Sequence, residues 1–551
     1  MTAAHVLPQP GQQDKWAERR EDYALRRVPA SYRKWSIFSL AGVTLGVATA
    51  MFFLTFGGEL VLAYGTGNVI IAMILGAVII GSIGYVLTRI SAATGLDSDL
   101  ITRGAGFGFL GSAYTSLIYT FNFVLFFAFE GQIMASAIHA YWPSVPISLI
   151  FVLIGLVFIP LTWFGITTLN WLMWVTAPIY LGFLAWTIVL AATSHTGAAF
   201  WSYMPKSVTA PSAGPALLQV LAAAIGLISM APGAADVGRF LPTRKRTSGA
   251  IALGYVLMFV TLCVLTVLGG WFTLRFNNST NPGVYLAAKM GVWGVLFVII
   301  TQIRINTTNV YSGSLAYANF FCRVFHITPG RQYWVILTSA IGTALMFGNV
   351  LGHLNRVLTF EATFITAWLF AVVSDVMVNK KLLKISPLNF VYKRAHTYKY
   401  NPVGVGALVV ALAVALPFAF GAGGDLGKTL APFISGAVAF AVAPILALVT
   451  HSRFYLPETV AHNIDPALPE IGTGEIDNVI ALDRADSENA YEICVVCKQT
   501  FELAEFVACP FHNGALCSVC CASESSCKEV CKSEELLQIG SSASVPTGAR
   551  A

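Results

Sequence analysis

Met230-Ala-Pro-Gly-Ala-Ala-Asp-Val-Gly-Arg-Phe240 closes an apolar run that opens near residue 216. A run of this length reads as a helix across a hydrocarbon core, which takes roughly 20 residues for about 30 Å. Proline and glycine inside it, in the Met230-Ala-Pro-Gly233 segment, release backbone groups that lipid cannot satisfy. Such an interruption is tolerated only where neighbouring helices or a polar cavity supply partners. A second interrupted run covers residues 38–63, with Gly46-Val-Ala-Thr-Ala50 and then Gly57-Gly58. The two runs stand five apart in the order of apolar segments. Two readings fit. Corresponding breaks are what an inverted repeat produces, with unwound backbone at the midplane. Equally, small residues and proline serve close helix packing.

Working outward, apolar runs also lie near 69–89, 110–139, 147–166, 171–193, 250–273, 290–316, 333–351, 358–379, 402–421 and 429–450. With the first two that makes twelve, and the expected fold class is an all-α membrane protein of twelve transmembrane helices. The chain is 56% hydrophobic and 11% charged, whereas a soluble domain carries about 25% charged residues. That excludes an ordinary soluble enzyme, a nucleic-acid binder and a disordered chain. The charge is unevenly spread: residues 1–450 are net +15, residues 451–551 net −9. With a cytoplasmic N-terminus, 21 Lys and Arg fall on the inner side and five on the outer side, so both termini are expected to be cytoplasmic. Residues 1–35 read as a basic cytoplasmic tail, because the apolar stretch that follows is too long for a signal peptide. Residues 36–450 form the membrane domain, 451–490 an acidic linker, 491–535 a Cys-rich module and 536–551 a disordered end. Twelve spans with short loops and no nucleotide-binding phosphate loop point to a secondary transporter, with receptors and membrane enzymes as competing classes.

Span six ends Ala231-Pro-Gly-Ala-Ala-Asp-Val-Gly-Arg-Phe240, and span eight runs Arg304-Ile-Asn-Thr-Thr-Asn-Val-Tyr-Ser-Gly-Ser-Leu-Ala-Tyr-Ala-Asn319. Together these resemble the nucleobase:cation symporter family of cytosine and purine permeases and hydantoin transporters, over roughly residues 22–450. The resemblance implies a five-plus-five inverted repeat of the LeuT type, two extra helices, and no enzymatic activity. It implies a site for a planar heterocycle between spans one, three, six and eight, in a protein of the bacterial inner membrane. Asn309 matches the span-eight amide that bonds the substrate, with Asn306 a second candidate. An amide offers a donor and an acceptor to the edge of such a ring. Phe126 and Glu130 occupy the span-three positions that stack on and bond the ring, although the Trp–Gln pair of some members is absent. Ser229 and Met230 lie near the span-six break.

Glu130 and Arg304 sit in the middle of spans three and eight. An ionisable group at the bilayer centre costs about 2.5–3.5 kcal/mol on insertion scales and marks a functional site by default. The family builds a sodium site from spans one and eight, and Arg304 falls at or beside its span-eight hydroxyl positions. A fixed guanidinium there repels sodium and stands in its place. Arg stays protonated, whereas Glu130 can titrate. The expectation is a Glu130–Arg304 pair across the cavity, serving sodium-independent and proton-coupled transport; a purely structural ion pair is the competing reading. Asp236, Arg239 and Glu361 read as gate or scaffold residues.

Eight of the ten cysteines fall within 38 residues: Cys494, Cys497, Cys509, Cys517, Cys520, Cys521, Cys527 and Cys531. Two C-x₂-C knuckles plus further thiols read as zinc ligands. A disulfide cluster is disfavoured in a reducing cytoplasm. The eight thiols either fill two Cys₄ sites or leave four beyond a single site of Cys494, Cys497, Cys517 and Cys520. The tail resembles a module that, in some bacterial chains, links a transporter-like region to a sensor kinase. That keeps a ligand sensor or regulated transporter with a cytoplasmic signalling partner in play, beside an amino-acid or amine transporter of the same fold.

Overall fold

Both interrupted runs break in the structure, though not at every residue the sequence suggests. The structure is a computed structural model that describes residues 23, 25–36, 40, 46–163, 166–194, 199–206, 211–327, 329–456 and 491–532. Residues 1–22 of the basic tail, 457–490 of the acidic linker and 533–551 of the C-terminal end lie outside the described residues.

In span one, residues 46–48 are helical and the chain unwinds through Thr49 and Ala50. It then restarts as α1 (Phe52–Tyr64). α2 (Thr66–Thr94) stops at Gly95, whose φ of +76° is cheap only for glycine. α3 (Ser98–Thr102) is capped by Asp97, which accepts from Leu100 N at 2.8 Å. α4 (Gly108–Tyr141), α5 (Ile147–Thr162) and α6 (Ile166–Thr193) follow. Span six is split into α7 (Ala216–Ile225) and α8 (Met230–Gly238). Next come α9 (Thr243–Arg275), α10 (Pro282–Met290), α11 (Val292–Phe325), α12 (Arg331–Phe347) and α13 (Leu354–Ser374). α14 (Pro402–Ala419) starts with proline at its first position and Asn401 accepting from Val403 N at 3.0 Å. α15 (Gly424–Val449) completes the membrane domain.

The span-six break falls at Gly226–Ser229 and ends three residues before Pro232. Pro232 instead sits in the first turn of α8, where a missing amide is one of the groups any helix start leaves unpaired. Within the break the amides reach back three residues rather than four: Met230 N bonds Leu227 O at 3.1 Å and Ala231 N bonds Ile228 O at 3.1 Å. Gly57 and Gly58 lie inside α1 and break nothing. A Cβ on Gly57 would stand 1.8 Å from Thr266 O, and one on Gly269 2.3 Å from Leu54 O. These glycines let α1 and α9 touch backbone to backbone.

All twelve expected runs are helical, and eight of the helices among the described residues are long and apolar enough to cross a membrane. The other four differ for physical reasons. α1 is cut short by the break, while α5 and α12 have 16 and 17 residues. α11 has 34 residues but carries a buried polar stripe through Gln302, Arg304, Asn306 and Asn309. It spans on length and faces a cavity rather than lipid.

The tail folds as two hairpins, β1 (Tyr491–Ile493) with β2 (Thr500–Glu502) and β3 (Phe506–Cys509) with β4 (Gly514–Cys517), followed by α16 (Ser518–Ser523). It docks on the loop after α13: Tyr392 Oη donates to Glu505 at 2.7 Å, Lys393 Nζ to Phe506 O at 2.7 Å, and Arg394 Nη1 to Cys521 O at 3.0 Å. Arg27, ahead of span one, pairs with Glu502 at 3.3 Å.

The glycine contact gives a first test. Gly57→Ala forces α1 and α9 apart and is expected to cost about 1–3 kcal/mol, read as a lower Tm of the detergent-purified protein. Gly67→Ala, where a Cβ meets nothing within 4 Å, is expected to leave the Tm unchanged.

Candidate functional site

A cavity lies where the two breaks face α4 and α11. From α4 come Asn122, Phe126 and Glu130, each four residues after the last and so on one helix face. From α11 come Ile305, Thr308, Asn309, Ser312 and Leu315, again at helical spacing. The breaks contribute Ala50, Phe52 and Phe53 on one side and Leu227, Ser229 and Met230 on the other. The space amounts to about 1100 Å³ measured out to its open side.

One of its walls is aromatic. Phe126 meets Phe52 edge-on, with centroids 5.0 Å apart and planes at 66°, and meets Phe129 at 5.8 Å and 86°. Polar groups interrupt this wall at few points. Asn309 Nδ2 donates to Asn306 Oδ1 at 3.3 Å, which fixes the amide plane. Asn122 Oδ1 is buried without a hydrogen-bond partner. A buried acceptor of that kind costs about 1–3 kcal/mol unless something bonds it.

Glu130 is fully buried and lines the cavity. Its Oε1 accepts from Phe52 N at 3.3 Å, the first amide of α1. Gln302 lies near the carboxylate, whose other oxygen, Oε2, has no hydrogen bond. Arg304 is also fully buried, but outside the cavity lining. Its Nε donates to Thr49 Oγ1 at 3.1 Å, and its Nη1 to Met173 O at 2.7 Å and Thr176 Oγ1 at 2.5 Å.

The expected Glu130–Arg304 pair is therefore corrected: among the described residues no ion pair joins them. The reason is the break itself. Glu130 meets the start of α1, where unpaired amides carry partial positive charge, and Arg304 meets Thr49 where the first half of span one ends.

Phe126, Glu130, Ser229, Met230 and Asn309 line one cavity, and Asn306 stands behind Asn309. Asp236 and Arg239 line its other end. There Asp236 accepts from Ser98 N at 2.9 Å and Tyr119 Oη at 3.1 Å. Arg239 Nη1 reaches Asp97 at 3.3 Å and Tyr23 O at 2.8 Å. This latch ties α8 to α3, α4 and the segment before span one. Glu361 lies apart, buried in α13 with both carboxylate oxygens unbonded. Sequence reasoning missed Asn122, Thr308, Ser312 and Thr49. The four-residue spacing from Phe126 and Glu130 carried the signal for Asn122; nothing marked Thr49 beyond its place in the break.

In the tail, the ligand atoms of Cys494, Cys497, Cys517 and Cys520 all lie within 4.8 Å of one another. Cys497 Sγ and Cys517 Sγ are 3.9 Å apart, close to the ~3.8 Å that two thiolates subtend on a tetrahedral zinc with bonds of about 2.3 Å. The Cys520 thiol and its backbone N–H hydrogen-bond the Cys517 sulfur and draw its pKa down to about 6. This quartet can hold a metal ion. Cys509, Cys521, Cys527 and Cys531 lie outside it.

Residues 27–441 match the family described as permeases for cytosine/purines, uracil, thiamine and allantoin. No curated protein sequence matches the chain. Among solved structures, a nucleobase-cation-symport-1 family transporter, Mhp1, closed with bromovinylhydantoin bound, is 18% identical with a TM-score of 0.59. The match covers 79% of this chain and 99% of that one. Mhp1 facing inward is 17% identical, TM-score 0.60, over 78% and 96%. A sodium-coupled sialic acid symporter, substrate-bound and open outward, is 13% identical, TM-score 0.53, over 79% and 93%. These likenesses show the fold, a LeuT-type helical transporter fold.

The capping contact makes a second test. Glu130→Gln keeps an oxygen for Phe52 N, whereas Glu130→Leu strands that amide. The leucine variant is expected to lose about 1–3 kcal/mol more than the glutamine variant, measured as relative Tm without ligand.

Proposed function

From the premise that the chain belongs to the permease family for cytosine/purines, uracil, thiamine and allantoin, and is thus a multi-pass membrane transporter rather than an enzyme, we propose that it carries a planar nucleobase-like heterocycle. The observation that supports this most is the cavity at the two helix breaks. It offers an aromatic wall of Phe52, Phe53 and Phe126 for a ring face, and the amides of Asn122 and Asn309 for a ring edge. Ser229, Thr308 and Ser312 add hydroxyls around the same space. A flat ring with alternating donors and acceptors uses every one of these groups.

The transport is sodium-independent in this reading. Arg304 supplies a permanent positive charge between the span-one break, α6 and α11, and a second cation beside it is repelled. Glu130, the cavity carboxylate that meets the span-one break, carries the proton. The inner end is the Asp236–Arg239 latch, and the protein lies in a bacterial inner membrane with both termini cytoplasmic, as its Lys and Arg distribution supports. The Cys494, Cys497, Cys517 and Cys520 quartet holds zinc, because four thiolates at tetrahedral separation suit that ion.

One observation favours a second role. The tail grips the loop after α13 through Tyr392, Lys393 and Arg394. This supports a transporter whose inner loop reports its conformation to a cytoplasmic partner through the tail.

Two measurements test the reading. Across nucleobases, hydantoins, allantoin and amines, a planar heterocycle is expected to raise the Tm of the purified protein, and Asn309→Ala or Phe126→Ala to abolish that shift. A shift with amines alone sinks the heterocycle reading. In proteoliposomes, uptake of the heterocycle is expected to continue when sodium is replaced by choline and to follow an imposed pH gradient. Collapse on sodium removal at constant pH would overturn the role given to Arg304.

A further inference from the structure

We propose that the tail holds a second metal ion of the zinc type, bound by Cys509, His512, Cys527 and Cys531 and interleaved with the first. The proposal rests on the reading of Cys494, Cys497, Cys517 and Cys520 as a zinc site. The donors fall along the chain in four pairs: 494 and 497, 509 and 512, 517 and 520, 527 and 531. The closed quartet takes the first and third pairs, which leaves the second and fourth.

The β3–β4 hairpin keeps the two sets apart. Its register sets Cys517 opposite Phe506 and Cys509 opposite Gly514, at the two ends of the ladder. Three residue steps separate these ends, about 10 Å at roughly 3.4 Å per residue. One ion cannot bond both Cys517 and Cys509 across that distance. At the turn end, Cys509 Sγ and His512 Nδ1 are 3.4 Å apart. A thiolate and an imidazole on one tetrahedral zinc stand about 3.5 Å apart, given bonds of about 2.3 and 2.0 Å. The far nitrogen of the same ring, Nε2, meets Glu524 at 3.3 Å. A carboxylate there fixes the tautomer that presents Nδ1 to a metal.

The fourth pair closes the set. Cys531 packs against the buried cluster that contains Cys509, and the turn in which Val530 N bonds Cys527 O at 3.0 Å brings Cys527 back toward it. The segment carrying Cys527 and Cys531 has no strand and only a three-residue 3₁₀ turn, Val530–Lys532, to order it. It holds Lys528 and Glu529 at φ of +45° and +62°, a conformation that costs non-glycine residues free energy unless the surroundings impose it. A metal at its two ends supplies that constraint. Cys521 stays outside the set: it is buried against Ala395, and its carbonyl accepts from Arg394.

The second ion has a consequence for the membrane domain. The segment it staples shares in the grip on the loop after α13, through Lys532 Nζ on Thr397 O at 2.7 Å and Glu529 with Arg394 at 3.3 Å. The first ion orders the hairpins, and the second holds the docking segment in place.

The test is the zinc-to-protein ratio of the detergent-purified full chain, with the Co²⁺-substituted spectrum as a second readout. The expected ratio is two, falling to one in Cys531→Ala and in His512→Ala and staying at two in Cys521→Ser. The Co²⁺ form is expected to show overlapping bands of a four-sulfur and a three-sulfur, one-nitrogen site, the latter lost in His512→Ala. A ratio of one that Cys494→Ser abolishes and Cys531→Ala leaves untouched overturns the second site and keeps the first. A ratio of zero overturns both. A second ion lost in Cys521→Ser but kept in His512→Ala overturns this ligand set.

Discussion

A helix broken inside a membrane exposes a partial positive charge where it restarts and a partial negative charge where it stopped. The membrane domain is arranged around that constraint in span one. Glu130, reaching across from α4, takes the first amide of α1. Arg304, reaching from α11, takes Thr49 at the end of the preceding segment and continues to Met173 O and Thr176 on α6. Each charge costs roughly 2.5–3.5 kcal/mol to insert on translocon scales. Each is offset by the end of the broken helix it meets rather than by the other charge. Four helical segments are thereby fixed relative to one break, and the cavity is the space between them.

Because Glu130 both caps α1 and lines the cavity, whatever changes its charge also changes the end of a helix. In the proposed reading this is the coupling element. A proton on Glu130 removes the negative charge from the start of α1, and a bound ring edge competes with Phe52 N for the same oxygens. Arg304 cannot respond in that way, since a guanidinium keeps its proton. The latch at the other end works with different chemistry. Asp236 and Arg239 divide their bonds among Ser98, Tyr119, Asp97 and Tyr23 O, so α8 can leave its neighbours only by giving up several hydrogen bonds together.

The twelve runs, and the interruption of two of them, were legible in the sequence because hydropathy and glycine content act locally. Where the break fell was not. Pro232 is tolerated at a helix start as readily as it ends a helix, so the residue alone points to either side of the interruption. The same ambiguity separates Gly46, which precedes a real break, from Gly57, which serves contact with α9. The mid-membrane charges were legible as exceptions, but their partners were not. Pairing opposite charges with each other is the default when helix ends are invisible, and those ends exist only once the break is located. Asn122 shares its face with Phe126 and Glu130 by spacing alone, whereas Thr49 becomes a ligand of Arg304 only through the fold.

The charge split between the two parts of the chain has a structural counterpart. Residues 491–532 are few for a hydrophobic core, and below about 40 residues domains usually need metals, disulfides or partners. Among the described residues the tail's buried cluster has eight members, four of them cysteines and one, Ala395, borrowed from the membrane domain. Its remaining support is electrostatic: Glu502, Glu505 and Glu529 meet Arg27 and Arg394. Those basic residues belong to the segments whose Lys and Arg content argues for the orientation of the membrane domain. An acidic module docked there neutralises part of that basic surface. Its stability thus depends on the transporter beneath it as well as on its own buried thiols. A movement of the loop after α13 that shifts Arg394 therefore acts directly on Cys521 O and Glu529, each within two residues of another cysteine of the tail.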